Sequence, residues 1–225
     1  MKYAVIGTGK TGGVVLESLP AEDVIAVFNE ESPVTEPKLK KADVGIVFVP
    51  GQPMRYLLPL LLDSGVPMVI GTTGCEWPSD LDAQLKKRKT PWIIGMNFSI
   101  GLNVMRHFAV RVKAAMNKLR PDALQLGITE THHIHKVDAP SGTAIKLAEY
   151  IDFPIEKIKA IREGEVTGTH TIDFGWPNER LSITHEAFNR TIYAEGVRLA
   201  CEKIKGLPPG LHTFEKLADD LIETK

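Results

Sequence analysis

The chain has 225 residues, a formal net charge of −1 from 27 Lys and Arg against 28 Asp and Glu, and 43% apolar with 24% charged residues. That length holds one large domain or two small ones with ample core, and the even charge balance excludes the basic footprint of a nucleic-acid binder. The cysteines, Cys75 and Cys201, match no metal or redox spacing, and the longest uncharged run, 90–105, is too short and too polar to span a bilayer, so a cytoplasmic protein with no membrane partner is expected.

The opening reads MKYAVIGTGKTGG. The apolar run 3–6 reads as a short buried strand rather than an export signal. The loop after it has two readings. As a mononucleotide P-loop it needs a glycine five positions before Gly9-Lys10, and that position is Ala4, inside the strand. As a dinucleotide-binding turn it needs Gly7, Gly9 and Gly12 in the pattern G-x-G-x-x-G. These serve a tight turn, close backbone approach to a pyrophosphate, and close helix–strand packing respectively. The second reading fits, with Thr8, Lys10 and Thr11 between the glycines and an apolar helix over 13–19 whose N-terminus faces the phosphates.

Strands are predicted over 24–28, 44–49, 68–70 and 92–94, and helices over 56–62 and 81–87. Short continuous apolar strands separated by helices indicate a parallel sheet covered on both faces, with ligands bound outside the carboxyl ends of its strands. Asn29, Phe48-Val49-Pro50, Gly71-Thr72-Thr73 and Gly95-Met96-Asn97-Phe98 fall at those ends. After Asn97 the pattern changes. A long amphipathic helix spans 102–119, Leu124, Leu126 and Ile128 alternate as in a half-buried strand, and a helix spans 142–150. Alternation over 169–184 around Trp176-Pro177-Asn178 predicts antiparallel strands joined by a turn, followed by helices over 192–204 and 214–222. The fold class expected is α/β: a Rossmann-like parallel-sheet domain over 1–97, completed by 191–225, plus a smaller α+β domain over 98–190.

The densest polar stretch is Glu130-Thr131-His132-His133-Ile134-His135-Lys136-Val137-Asp138-Ala139-Pro140-Ser141-Gly142-Thr143-Ala144. No cysteine or carboxylate triad stands at ligand spacing to its histidines, so no metal is expected. The segment closely resembles the signature of the 4-hydroxy-tetrahydrodipicolinate reductase (dihydrodipicolinate reductase) family, nicotinamide-dependent enzymes of the diaminopimelate–lysine pathway. Gly71-Thr72-Thr73-Gly74, Asn97-Phe98-Ser99-Ile100-Gly101-Leu102-Asn103-Val104 and Glu179-Arg180-Leu181-Ser182-Ile183-Thr184-His185 extend the resemblance along nearly the whole chain.

The resemblance implies reduction of 4-hydroxy-tetrahydrodipicolinate to tetrahydrodipicolinate with loss of water. It makes His132 the general acid and Lys136 the second catalytic residue. His133, Ser141, Gly142 and Thr143 hold a small cyclic dicarboxylate. The turn Gly7 to Gly12, the Gly71-Thr72-Thr73 segment and Gly95-Met96-Asn97-Phe98 line the cofactor, with Asn29 and Phe48 beside them. The second domain becomes the substrate-binding and oligomerisation domain of a homotetramer. The residue types suit that chemistry: a histidine that titrates near neutrality quenches charge developed on hydride addition, Lys136 neutralises one carboxylate, and a helix starting near Ser141 offers N–H groups to the other. A reductase of another cyclic imine or small acid, and a non-catalytic nucleotide sensor, stay open as rivals. His185 and Arg190 are open between a functional and a structural role.

The chain also departs from the family. Gly9-Lys10-Thr11-Gly12 stands where a Gly-Arg-Met-Gly element is common. Asn29-Glu30-Glu31 stands where the ribose of the cofactor is read, and Glu30 repels a 2′-phosphate while Lys10 attracts one. NADH is expected ahead of NADPH, with dual use open. A strand continuing unbroken past Ile128 would send His132 and His133 to opposite faces, so a break is expected near Thr131.

Overall fold

The computed structural model describes residues 1–119 and 124–224, and these divide into two compact units, 1–100 with 191–224, and 101–190. In chain order the first unit begins with β1 (Tyr3–Ile6), α1 (Lys10–Ser18), β2 (Val24–Phe28), α2 (Glu36–Leu39) and β3 (Val44–Val47). It continues through α3 (Gly51–Ser64), β4 (Met68–Ile70), α4 (Leu81–Lys87) and β5 (Pro91–Ile94). Helix α5 (Ile100–Leu119) leads into the second unit, made of β6 (Gln125–His132), α6 (Gly142–Tyr150), β7 (Lys159–Arg162), β8 (Gly168–Trp176) and β9 (Glu179–Ala187). The chain returns to the first unit as α7 (Thr191–Ile204), β10 (Gly210–Thr213) and α8 (Phe214–Glu223).

The first unit is built on a six-stranded parallel sheet in the order β10-β5-β4-β3-β1-β2. Strands β1, β3 and β4 are buried along their whole length, which is why they read as continuous apolar runs. Alternate residues feed opposite faces. Tyr3, Val5, Val44 and Ile46 pack with Val15 of α1, with Val197, Ala200 and Cys201 of α7, and with Phe214 and Leu217 of α8. Ala4, Ile6, Val47 and Met68 pack with Leu39, with Met54, Leu58 and Leu61 of α3, and with Leu81 and Leu85 of α4. The chain order reverses direction across the sheet between β1 and β3, and the crevice outside their carboxyl ends is the place such a sheet offers a ligand.

The second unit is a four-stranded mixed sheet in the order β7-β6-β8-β9, with β7 parallel to β6 and the other pairs antiparallel. One face carries Ile128, Ile172 and Phe174, which pack with Leu102, Met105 and Ala109 of α5 and Ala144, Leu147 and Ala148 of α6. Pro177 and Asn178 join β8 to β9 at the predicted turn.

Three details differ from the sequence reading. The third strand ends at Val47, so Phe48 and Val49 belong to the crevice and not to the ladder. Strands β7 and β10 were not expected. Each is a four-residue edge strand with a mixed polar sequence, and each takes its place from a neighbouring ladder rather than from its own alternation. Strand β6 also runs on through His132, and the chain leaves it at His133, later than the expected break at Thr131.

Candidate active site

In the first unit, a cleft of about 940 Å³ opens outside β1, β2 and β3. Its lining includes Gly7, Thr8, Gly9, Asn29 and Phe48 from the expected cofactor set, joined by Glu30 and Glu31. The three loop glycines have separate physical reasons. Gly7 has φ +90°, and a Cβ there would lie 2.2 Å from the carbonyl oxygen of Phe48. A Cβ on Gly12 would lie 2.1 Å from the carbonyl oxygen of Gly7, so this glycine lets α1 close onto the end of β1. A Cβ on Gly9 would meet nothing within 4 Å. Gly9 caps α1 without a side-chain bond, and Lys10, Thr11 and Gly12 form the first turn behind it. The open space thus lies at a helix N-terminus whose first N–H groups lack partners within the helix, as a pyrophosphate requires.

Phe48 brings the other loops together. Its ring lies where a Cβ on Gly71 would fall, within 2.1 Å, and it meets the Phe98 ring edge-on at 6.0 Å. Phe98 in turn stacks on Phe214 at 4.8 Å, and a Cβ on Gly95 would lie 2.7 Å from the Phe98 ring. Thr72 is buried after β4, and its Oγ1 has no hydrogen-bond partner among the described residues, a polar atom suited to a ligand. Thr73 and Met96 are exposed at the same loop ends, while Asn97 Oδ1 accepts from Ser99 N at 2.9 Å. Asn29, which lines the cleft, accepts on its Oδ1 from the N–H groups of Glu31 (3.1 Å) and Ser32 (2.9 Å), so these bonds leave its Nδ2 unused. Lys10, Thr11 and Gly12 stand beside the cleft lining rather than in it.

In the second unit, alternation along β6 places Ile128, Glu130 and His132 on the covered face. Glu130 is fully buried. Its Oε2 accepts from His132 Nδ1, and its Oε1 lies 2.9 Å from Arg162 Nη2 and accepts from Ser141 N at 3.3 Å. Arg162, at the end of β7, also donates to the carbonyls of Lys136 (3.3 Å), Ile161 (2.6 Å) and Asp138. The guanidinium therefore ties the buried carboxylate to the loop that carries Lys136. Across the ladder, His170 of β8 pairs with Glu130, and its ring meets that of His132 edge-on at 5.2 Å. Burial holds His132 below the ordinary histidine range. The Glu130 charge and hydrogen bond raise it, and the charges of Lys136 and Arg162 lower it again.

Ser141 caps α6: its Oγ accepts from Ala144 N at 3.2 Å and stands 3.4 Å from His170 Nε2. Gly142 and Thr143 form the first turn behind it. Lys136 Nζ sits 2.7 Å from Asp138 Oδ1. Burial raises Asp138, but the Lys136 hydrogen bond and charge and the N–H groups of Asp138 and Gly142 outweigh it, and the carboxyl lies below the usual carboxylate range. His133 leaves the strand into a turn closed by Lys136 N on its carbonyl, and its buried Nδ1 has no hydrogen-bond partner among the described residues. Glu130, His132 and His170 offer donor atoms within 4.8 Å of one another, but Glu130 already spends both oxygens on His132, Arg162 and Ser141.

The family model described as dihydrodipicolinate reductase, C-terminus, matches residues 101–217. The 4-hydroxy-tetrahydrodipicolinate reductase of Chlamydia muridarum is 32% identical, covering 96% of this chain and 94% of that protein. The chain belongs to the dihydrodipicolinate reductase family. The enzyme of the same name from Pseudoalteromonas translucida is also 32% identical, over 88% of this chain and 80% of its own length. Among solved structures, a dipicolinate-bound dihydrodipicolinate reductase from Paenisporosarcina sp. TG-14 superposes with a TM-score of 0.75. It covers 96% of this chain and 99% of that one, and at 22% identity it shows a shared fold.

Within this dihydrodipicolinate reductase family member, the sequence reading left Glu130, Arg162 and His170 without roles. Glu130 had a signal, since two residues separate it from His132 on a strand and the two must share a face. Arg162 and His170 had none, because only the pairing of β7 and β8 with β6 brings them to it.

Proposed function

We propose that this chain reduces 4-hydroxy-tetrahydrodipicolinate to tetrahydrodipicolinate, with loss of water, using a reduced nicotinamide dinucleotide. The observation that carries the reading is the grouping, in one unit, of a buried histidine, a lysine and a capped helix N-terminus. Bound in the first unit, the cofactor supplies a hydride. Gly9 and the first turn of α1 hold its pyrophosphate, with Thr8, Lys10, Thr11 and Gly12 around them. Phe48, Gly71, Thr72, Thr73 and Gly95 to Phe98 line the remainder, and Asn29 Nδ2 takes a ribose hydroxyl.

The residues of the second unit bind and protonate the substrate. A cyclic dicarboxylate brings two negative charges. Lys136 and the N–H of Gly142 already hold the carboxylate of Asp138, so this chemistry suits one substrate carboxylate, which Ser141 and Thr143 help to bind. His133 offers its unpartnered Nδ1 to the other end of the substrate. His132 gives up a proton from Nε2, as its Nδ1 is engaged, and Lys136 assists. The dipicolinate bound to the Paenisporosarcina relative, a planar dicarboxylate, supports this substrate class.

Glu30 and Glu31 at the cleft mouth disfavour a 2′-phosphate and support NADH ahead of NADPH. A homotetramer assembled through the second unit is the proposed oligomer. Strand β9, paired among the described residues with β8 alone and exposing Leu181, supports it, and light scattering on the eluted protein tests it. No helix among the described residues is long and apolar enough to cross a membrane, in keeping with the proposed cytoplasmic location. The test of the reaction is His132→Gln: turnover is expected to fall by roughly two orders of magnitude with cofactor affinity retained. Unchanged turnover would remove His132 from the mechanism.

A further inference from the structure

We propose that Glu130 is the positioning residue for His132: its buried carboxylate fixes the imidazole ring with Nδ1 protonated, so that Nε2 is the atom that releases the proton. The inference rests on the reductase reading for what that proton does, but its geometry stands by itself.

A carboxylate with no solvent exposure is costly to keep unless every oxygen is satisfied. Glu130 meets that condition with three donors from three parts of the unit: His132 on its own strand, Arg162 on β7 and the Ser141 N–H ahead of α6. A buried ion pair of this kind is weak as a source of stability compared with apolar packing, so its placement calls for another reason. The strand supplies one. Because residues 130 and 132 share a face of β6, the carboxylate reaches the near nitrogen of the ring and leaves the far one available.

The far side of the ring is confined too. A Cβ on Gly168 would lie 3.0 Å from His132 Nε2, so β8 carries a glycine where the ring needs space, and the edge-on His170 ring closes another side. Arg162 anchors the carboxylate while gripping the carbonyls of Lys136 and Asp138. The orientation of His132 and the path of the Lys136 loop are thereby set by one guanidinium.

The charged and titratable groups facing His132 are Glu130 from β6, Lys136 from the following loop, Arg162 from β7 and His170 from β8, with His185 of β9 opposite His170. Among these, Glu130 is the group that stabilises the imidazolium. Its removal leaves Lys136 and Arg162 opposing protonation.

The test compares wild type, Glu130→Gln, Glu130→Asp and His132→Gln over a pH series, with NADH affinity measured by calorimetry. Glu130→Gln keeps a hydrogen-bond acceptor and removes the charge. It is expected to lower kcat by about 10–100-fold, as loss of a histidine's supporting partner does at metal sites. KM and NADH affinity should stay within about twofold, the split that marks a group acting on the chemical step. The alkaline limb of kcat/KM should move to lower pH by about 1–2 units, the size of an adjacent opposite charge. Glu130→Asp should restore the position of the limb.

Nitrogen NMR of histidine-labelled protein follows the tautomer and titration of His132 without turnover, and should show Nδ1–H in wild type and a lower titration midpoint in Glu130→Gln. An unmoved limb and unmoved midpoint in Glu130→Gln, or losses in kcat and KM together that Glu130→Asp does not relieve, would overturn the inference. If Glu130→Gln does not fold, the wild-type spectrum decides: a neutral His132 carrying its proton on Nε2 and not on Nδ1 would overturn the inference. If wild type turns over no substrate, the reductase reading fails, while the NMR result still decides whether Glu130 holds the ring.

Discussion

Two alanine substitutions in the opening loop should separate the structural glycine from the ligand-binding one. In Gly12→Ala the new methyl falls 2.1 Å from the carbonyl oxygen of Gly7, more than 1 Å inside ordinary contact, and α1 must withdraw from β1. Overpacking of this kind costs about 2–3 kcal/mol. Alanine returns about 1 kcal/mol through its better helix propensity, so the net loss is about 1–2 kcal/mol. In a chain of this length that corresponds to a fall of about 2–8 °C in Tm. In Gly9→Ala the methyl meets nothing within 4 Å, and the backbone, with φ −68° and ψ −167°, accepts any residue. The fold should lose less than about 1 kcal/mol, the difference between glycine and alanine at a cap. The methyl instead occupies the space a pyrophosphate needs. NADH affinity should drop by at least about tenfold, or about 1.4 kcal/mol. Thermal melts and calorimetric titration of both variants provide the assay. Wild-type NADH affinity in Gly9→Ala would refute the cradle, and a wild-type melt in Gly12→Ala would refute the packing argument.

Two further predictions use electrostatics. Burial, reinforced by the charges of His132, His185 and Lys136, pushes His170 from 6.5 down to about 3. The unfolded chain takes up this proton below pH 6.5 and the folded chain only near pH 3. Its contribution to stability is therefore complete above about 6.5 and is lost through that window at up to about 1.4 kcal/mol per pH unit. Chemical denaturation from pH 7 to 4 should show a shallower acid loss in His170→Asn than in wild type, and parallel slopes would contradict the assignment. Glu30→Arg should raise the ratio of NADPH to NADH specificity constants, because it places a cation where a 2′-phosphate is otherwise repelled. If the ratio does not move, the selector lies elsewhere, with Lys10 the next position to change.

Much of the fold was legible because its signals were local. The runs at Tyr3–Ile6, Val44–Val47 and Met68–Ile70 are apolar throughout since both faces of the sheet are covered, and burial along each strand matches that reading. The alternation of Ile172 and Phe174 marked a strand with one covered face and predicted β8 and β9 with their turn. Strands β7 and β10 were invisible because a four-residue edge segment is defined by its partner. The chemistry-bearing motif from His132 to Thr143 could be read from its residue types. Its support could not: Arg162 and His170 are remote in sequence from the residue they serve and arrive there through strand register. Glu130 was the exception, readable from its two-residue spacing to His132.

The measurement that bears most directly on the central claim is the loss of reduced-nicotinamide absorbance when the protein meets 4-hydroxy-tetrahydrodipicolinate generated freshly in the cuvette. With wild-type protein, substrate-dependent oxidation is expected, faster with NADH than with NADPH, and nearly abolished in His132→Gln. No oxidation of either cofactor, with calorimetry still detecting NADH binding, would contradict the reductase assignment and leave only a dinucleotide-binding fold.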